Sequence, residues 1–158
     1  MIPQIHILLH NIRSTHNVGA ILRTADAVGV TKVYFSGYTP APIDRFGRQR
    51  KDISKASLGA EKSVKWESVN SPIDLINKLK KQKFTILSLE QDVRSVDYRK
   101  FKLKGNTLLI VGNEVDGVDK NILDLSDEII EIPMLGKKES LNVSVATGII
   151  LYNIQKLP

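Results

Sequence analysis

The amino-acid sequence predicts an α/β domain, a mainly parallel sheet covered by helices on both faces. Two observations carry this expectation. Short β-branched runs alternate along the 158 residues with segments of helical periodicity, as parallel strands joined by crossover helices do. The strand-like runs, "IHILL" and "TLLIV" among them, are also apolar without interruption, which suits strands buried on both sides.

The elements follow in order. "IHILLH" (5–10) predicts the first strand, with His6 inside it and His10 at its end. Next comes a helix over "HNVGAILRTADAVG" (16–29). In it Val18, Ile21, Leu22, Ala25 and Val28 keep helical spacing, and Gly29 stands where a helix end favours a left-handed residue. "KVYFSG" (32–37) and "SVKWESV" (63–69) predict two further strands. Between them Gly37–Asp52 is the one long irregular span, and such loops in small domains are often functional. "SPIDLINKLKKQ" (71–82) predicts an amphipathic helix whose lysine-rich end faces solvent. "FTILSL" (84–89), "TLLIVGN" (107–113) and "EIIEIPM" (128–134) complete the strands. The closing helix, "NVSVATGIILYNIQK" (142–156), is apolar around most of its circumference. It is therefore expected to be buried on several sides, inside the domain or against a second subunit.

Composition narrows the function classes. With 42% hydrophobic and 25% charged residues, the chain has an ordinary globular composition, and its length fits one domain over residues 1–158. It contains no apolar run long enough to span a bilayer, and the opening "MIPQIHILLHNIR" lacks a basic region before its apolar stretch. No membrane association and a cytoplasmic location are expected. The lack of cysteine excludes disulfides, thiolate catalysis and cysteine-ligated zinc, and the scattered His6, His10 and His16 make a poor metal site. The net charge of +6 suits an acidic polymer as partner. Arg45, Arg48, Arg50, Lys51 and Lys55 crowd "APIDRFGRQRKDISK", where a loop can present cations to phosphates.

A parallel sheet binds ligands outside the carboxyl ends of its strands, where the strand order reverses. Three polar clusters fall at such ends. "NIRSTHNVGAILR" holds Asn11, Arg13, Asn17 and Arg23; "VGNEVDGV" holds Gly112, Asn113, Glu114 and Gly117; "IPMLGKKESLN" runs from a strand into the closing helix. Dinucleotide and P-loop glycine patterns are absent. Taken singly, each cluster reads equally as ordinary structure: a polar turn, a first-turn asparagine, a surface arginine, or Ser140 and Asn142 capping a helix.

Together, in this order, the clusters resemble the three motifs of the TrmH/SpoU family of the SPOUT methyltransferase superfamily. "NVGAILRTADAVGV", "LLIVGNEVDGV" and "IPMLGKKESLNVSVATGI" match motifs 1, 2 and 3 and span nearly the whole chain. The resemblance implies a Rossmann-like sheet with a C-terminal trefoil knot, a homodimer, and methyl transfer from S-adenosylmethionine to RNA, usually to a ribose 2′-hydroxyl. It assigns cofactor contacts to Gly112, Ile132 and Leu141, with Leu89 and Met134 as neighbours. It assigns a polar catalytic set to Asn17, Arg23, Glu114, Ser140 and Asn142. These residue types suit the chemistry, because a sulfonium is already activated and the enzyme has chiefly to align groups and manage one hydroxyl proton. Since a guanidinium is a poor base, Arg23 is expected to grip a phosphate and stabilise a developing alkoxide.

The N-terminal RNA-binding domain and helical extensions that some family members carry are not expected in this chain, so its own loops are expected to read the substrate. Tyr38 and Phe46 in the basic loop can stack on an unpaired base, which favours tRNA over rRNA. Two alternatives remain: base N-methylation, as in a related SPOUT branch, and a noncatalytic RNA-binding protein that keeps the fold.

Overall fold

The computed structural model describes residues 2–155; Lys156, the last residue of the expected closing helix, lies outside them. β1 (Ile5–His10) is buried along its whole length, and its side chains divide between two cores. Ile5, Ile7 and Leu9 join one apolar cluster and Leu8 the other, as the two-residue period of a strand requires. The first cluster is covered by α1 (Thr15–Val28), α2 (Lys51–Ser57), α3 (Ala60–Ser63) and α6 (Val143–Ile154). The second lies under α4 (Pro72–Lys81) and α5 (Lys120–Leu123). Both faces of the sheet are thus roofed.

The remaining strands are β2 (Lys32–Ser36), β3 (Trp66–Ser68), β4 (Thr85–Leu89), β5 (Val96–Asp97), β6 (Thr107–Val111) and β7 (Glu128–Glu131), with a short 3-10 turn over Tyr98–Lys100. The order across the sheet is β3-β2-β1-β6-β4-β7-β5. Every neighbouring pair is parallel, so the expected mainly parallel sheet is wholly parallel. β6 enters between β1 and β4, and β7 enters between β4 and β5.

Local chemistry explains most boundaries. The Ser14 hydroxyl accepts from the Asn17 N–H to start α1, and Gly29, with φ of 78°, ends it by donating to Ala25 and Asp26 carbonyls. α4 starts on a Ser71 cap with Pro72 in its first turn. Three expectations are corrected. The strand expected over 63–69 shortens to Trp66–Ser68, because Ser63 belongs to α3 and Val64 closes that helix. The strand expected to reach Met134 stops at Glu131, where β7 runs out of partner. Lys51 and Lys55 lie in helix α2, not in a loop. Its glycine-free sequence packs closely on α1: a Cβ on Gly19 would stand 2.5 Å from the Ala56 Cβ. No helix among the described residues is long and apolar enough to cross a membrane.

α6 is covered by its own domain on part of its circumference. Thr147, Ile150, Leu151 and Ile154 are buried within the chain, but Val145 and Tyr152 are each 52% exposed.

Candidate active site

At the carboxyl ends of β4, β6 and β7 the chain forms a cleft of about 550 Å³, within the range of roughly 300–1,000 Å³ typical of small-molecule sites. Leu89, Gly112, Ile132, Met134 and Leu141, the five residues expected to contact a cofactor, all line it, and so do Glu114, Ser140 and Asn142.

Gly112 follows β6, and its lack of a side chain has a local cause. A Cβ there would stand 2.5 Å from the Gly117 carbonyl oxygen and 2.6 Å from the Val118 nitrogen. The turn that follows folds back on itself, with Asn113 and Gly117 exchanging backbone hydrogen bonds of 3.1 and 2.9 Å. The Asn113 carboxamide oxygen accepts from the Val115 and Asp116 N–H groups, both at 2.8 Å. This closes the turn and leaves Glu114 exposed at its tip.

Three distant segments meet in one relay. Asn142 is the N-cap of α6: its Oδ1 accepts from the Ser144 N–H at 2.9 Å and the Val145 N–H at 3.4 Å. Its Nδ2 then faces the other way and donates to Asn17 Oδ1 at 3.2 Å. Asn17, 7% exposed, donates in turn through Nδ2 to Glu114 Oε1 at 3.3 Å. Each amide uses its acceptor on one side and its donor on the other, so a charged acceptor at one end fixes the orientation of both asparagines. Asn142 therefore caps α6 and joins the relay with the same carboxamide.

Arg23 stands apart. It is exposed on α1, lines no part of the cleft and is outside the relay. Six residues at about 100° each place it roughly 120° around the helix from Asn17, so one α1 cannot direct both side chains at the same point. Ser140 lies on the cleft wall, exposed.

Glu90 and Gln91 are site residues that the sequence reading missed. Glu90 follows β4, and its Oε2 accepts from the Val118 N–H at 2.8 Å. A Cβ on Gly117, whose φ is 72°, would stand 1.9 Å from that oxygen. Gln91 Nε2 donates to the Glu139 carbonyl at 2.7 Å. These two side chains tie the carboxyl end of β4 to both cleft walls. Their signal was available, since "LSLEQD" is another polar cluster at a strand's carboxyl end.

Residues 4–152 match the model of the SpoU rRNA Methylase family. The chain belongs to this family. It is 37% identical over 150 residues to the tRNA (guanosine(18)-2′-O)-methyltransferase of Aquifex aeolicus, covering 95% of this chain and 68% of that enzyme. It is 34% identical over 154 residues to the Escherichia coli (strain K12) enzyme of the same name, covering 98% of this chain and 64% of that one. The fold superposes on an AdoMet-bound rRNA methyltransferase structure from Sinorhizobium meliloti with a TM-score of 0.85 at 27% identity, covering 97% of this chain and 57% of that one. The SpoU match runs through all three polar clusters, and the chain spans about two thirds of the length of these two curated relatives.

Proposed function

We propose that this chain is an S-adenosylmethionine-dependent RNA methyltransferase that modifies a ribose 2′-hydroxyl, of tRNA in preference to rRNA. The observation that carries the proposal is the Glu114–Asn17–Asn142 relay beside the cleft, which joins one residue from each of three segments far apart in sequence. The names of the two curated relatives favour tRNA, and the S. meliloti structure is of an AdoMet-bound enzyme.

The cleft suits the cofactor: Gly112 lets the turn through Gly117 fold tightly against the end of β6, and the walls mix apolar side chains with loop backbone. Gly112, Ile132 and Leu141 would hold it, flanked by Leu89 and Met134. When bound, it supplies a methyl group already activated on a sulfonium. No side chain of the protein has to form a covalent bond. Asn17, Ser140 and Asn142 orient the acceptor ribose, and Glu114 keeps the two amides in register. Arg23, supplied by a second copy of the chain, holds the neighbouring phosphate and stabilises the charge that develops on the hydroxyl oxygen. A phosphate oxygen then takes the hydroxyl proton.

A homodimer belongs to the same reading. A second copy would cover Val145 and Tyr152 on α6, and it would give the outward-facing Arg23 a substrate to meet. The C-terminal trefoil knot is supported by the late insertion of β6 and β7 between earlier strands. A cytoplasmic location belongs to the same reading, since tRNA is abundant there.

The test is to incubate purified protein with cellular RNA and methyl-labelled cofactor, then digest the RNA and resolve its nucleosides by mass spectrometry. Label in a 2′-O-methylnucleoside is expected; label on a base nitrogen would move the acceptor, and absence of cofactor binding by calorimetry would overturn the enzyme reading. Arg23→Ala should lower the rate at least about a thousandfold, ~4 kcal/mol, with cofactor affinity intact.

A further inference from the structure

The loop between β2 and α2 carries a feature that neither the cleft nor the fold uses. Its tip is a tight hairpin with an antiparallel bridge between Ile43 and Gln49. Asp44 organises it: the carboxylate accepts from the Phe46 N–H at 2.8 Å, the Arg48 N–H at 2.9 Å and Arg48 Nε at 2.9 Å. These donors hold the Asp44 carboxyl below the usual carboxylate range. The tip presents Phe46, 66% exposed, with the Arg45 and Arg48 guanidinium carbons 4.8 and 5.0 Å from its ring centroid. A large aromatic side chain left in water at the end of an ordered turn contributes little to folding.

Both ends of the loop are anchored to the site. At the start, Asn11 Oδ1 accepts from the Tyr38 N–H at 3.2 Å, and the Tyr38 hydroxyl bonds Asn113 Nδ2 in the turn that carries Glu114. At the far end the chain enters α2, which packs against α1 at Gly19, two residues from Asn17. The tip is therefore held in a set relation to the relay.

We propose that the Arg45–Phe46–Arg48 tip reads an unpaired nucleotide of the RNA substrate: Arg45 swings off the Phe46 ring to the nucleotide's phosphate, and the base stacks on the ring in its place. Arg48 is already engaged by Asp44 and acts as the fixed wall of the stack. Arg45 is the cation left for the phosphate. This rests on the RNA-methyltransferase reading and adds a preference to it, since in a duplex every base is already stacked and offers no free face to the ring.

The test compares two labelled RNAs by fluorescence anisotropy: a hairpin with a short unpaired loop and a continuous duplex of the same stem. Phe46→Ala should weaken hairpin binding about tenfold, leave duplex binding unchanged and keep the melting temperature and cofactor affinity. Phe46→Trp should restore hairpin binding. Arg45→Gln should reduce the salt dependence of hairpin binding by about one phosphate contact. Equal binding of the hairpin by Phe46→Ala and the unaltered protein would overturn the proposal, even where that protein still methylates RNA. A tenfold loss by Phe46→Ala with no methyl transfer by the unaltered protein would instead sustain the tip and remove the enzyme reading.

Discussion

The two sides of the sheet are built in opposite ways. On one side β1, β2 and β3 lie in chain order, each joined to the next through helices that pack on the same core. On the other, β6 and β7 slot between strands laid down earlier, giving the order β6-β4-β7-β5. Sequential winding makes a scaffold whose contacts are comparatively local. Interleaving brings the ends of β4, β6 and β7 side by side, and the loops that leave them form the cleft. The first side should mainly govern stability and the second mainly govern binding; substitutions on each side can break or sharpen that division.

The largest expected effect is on the interleaved side. Gly112→Ala puts a methyl group against the backbone of Gly117 and Val118, neither of which is a flexible side chain that can swing away. Cofactor affinity measured by calorimetry should fall at least about a hundredfold, near 3 kcal/mol; affinity within a few fold of the original would show that the turn is not the cofactor's wall. The next effect tests the scaffold side by pH. His6 is buried in β1 between the Tyr34 and Phe84 rings. Burial first, and the nearby Lys32 charge second, lower its pKa from 6.5 to about 4. The unfolded chain therefore binds this proton more readily, so the contribution of neutral His6 is intact above about pH 6.5 and is lost as pH falls toward 4. The loss is about 3 kcal/mol. Urea unfolding should reveal it as a part of the acid sensitivity that His6→Phe removes.

Gly19→Ala sharpens the same contrast. Its Cβ would meet Ala56 and the Ile53 carbonyl at 2.5 and 2.7 Å, pushing α2 off α1 at a cost of about 2 kcal/mol. Thermal unfolding should record this while cofactor affinity stays near its original value. The smallest effect on stability is at the joint between the two sides. Asn142→Ala removes the α6 cap, worth about 1 kcal/mol of stability, and also frees Asn17. The methylation rate should fall by far more than that loss of stability, and a rate that tracked stability alone would reduce Asn142 to a cap.

Much of this was legible in local pattern. β1, β6, α1 and α4 follow from runs and spacings that the helix and strand periods fix within a few residues. Gly29 at the end of α1 and Ser71 at the start of α4 are equally local. The short elements were not legible: α3 and α5 have four residues each and β5 has two. So few residues hold no period, and tertiary packing decides their state. Glu90 was legible as a polar residue at the end of β4, but not its partner, Val118, 28 residues away.

By itself the sequence determined which residue types stand at which strand ends, and so the chemistry available: amides, carboxylates, guanidiniums and glycines, with no thiol. Only the tertiary structure decided which of them meet. Asn17 and Asn142, 125 residues apart, share a hydrogen bond, whereas Arg23, six residues from Asn17, faces elsewhere. The physical reason is one of range. Periodicity and capping act over a turn or a strand, but the meeting of distant loops depends on strand order, which is settled by burying the whole sheet at once.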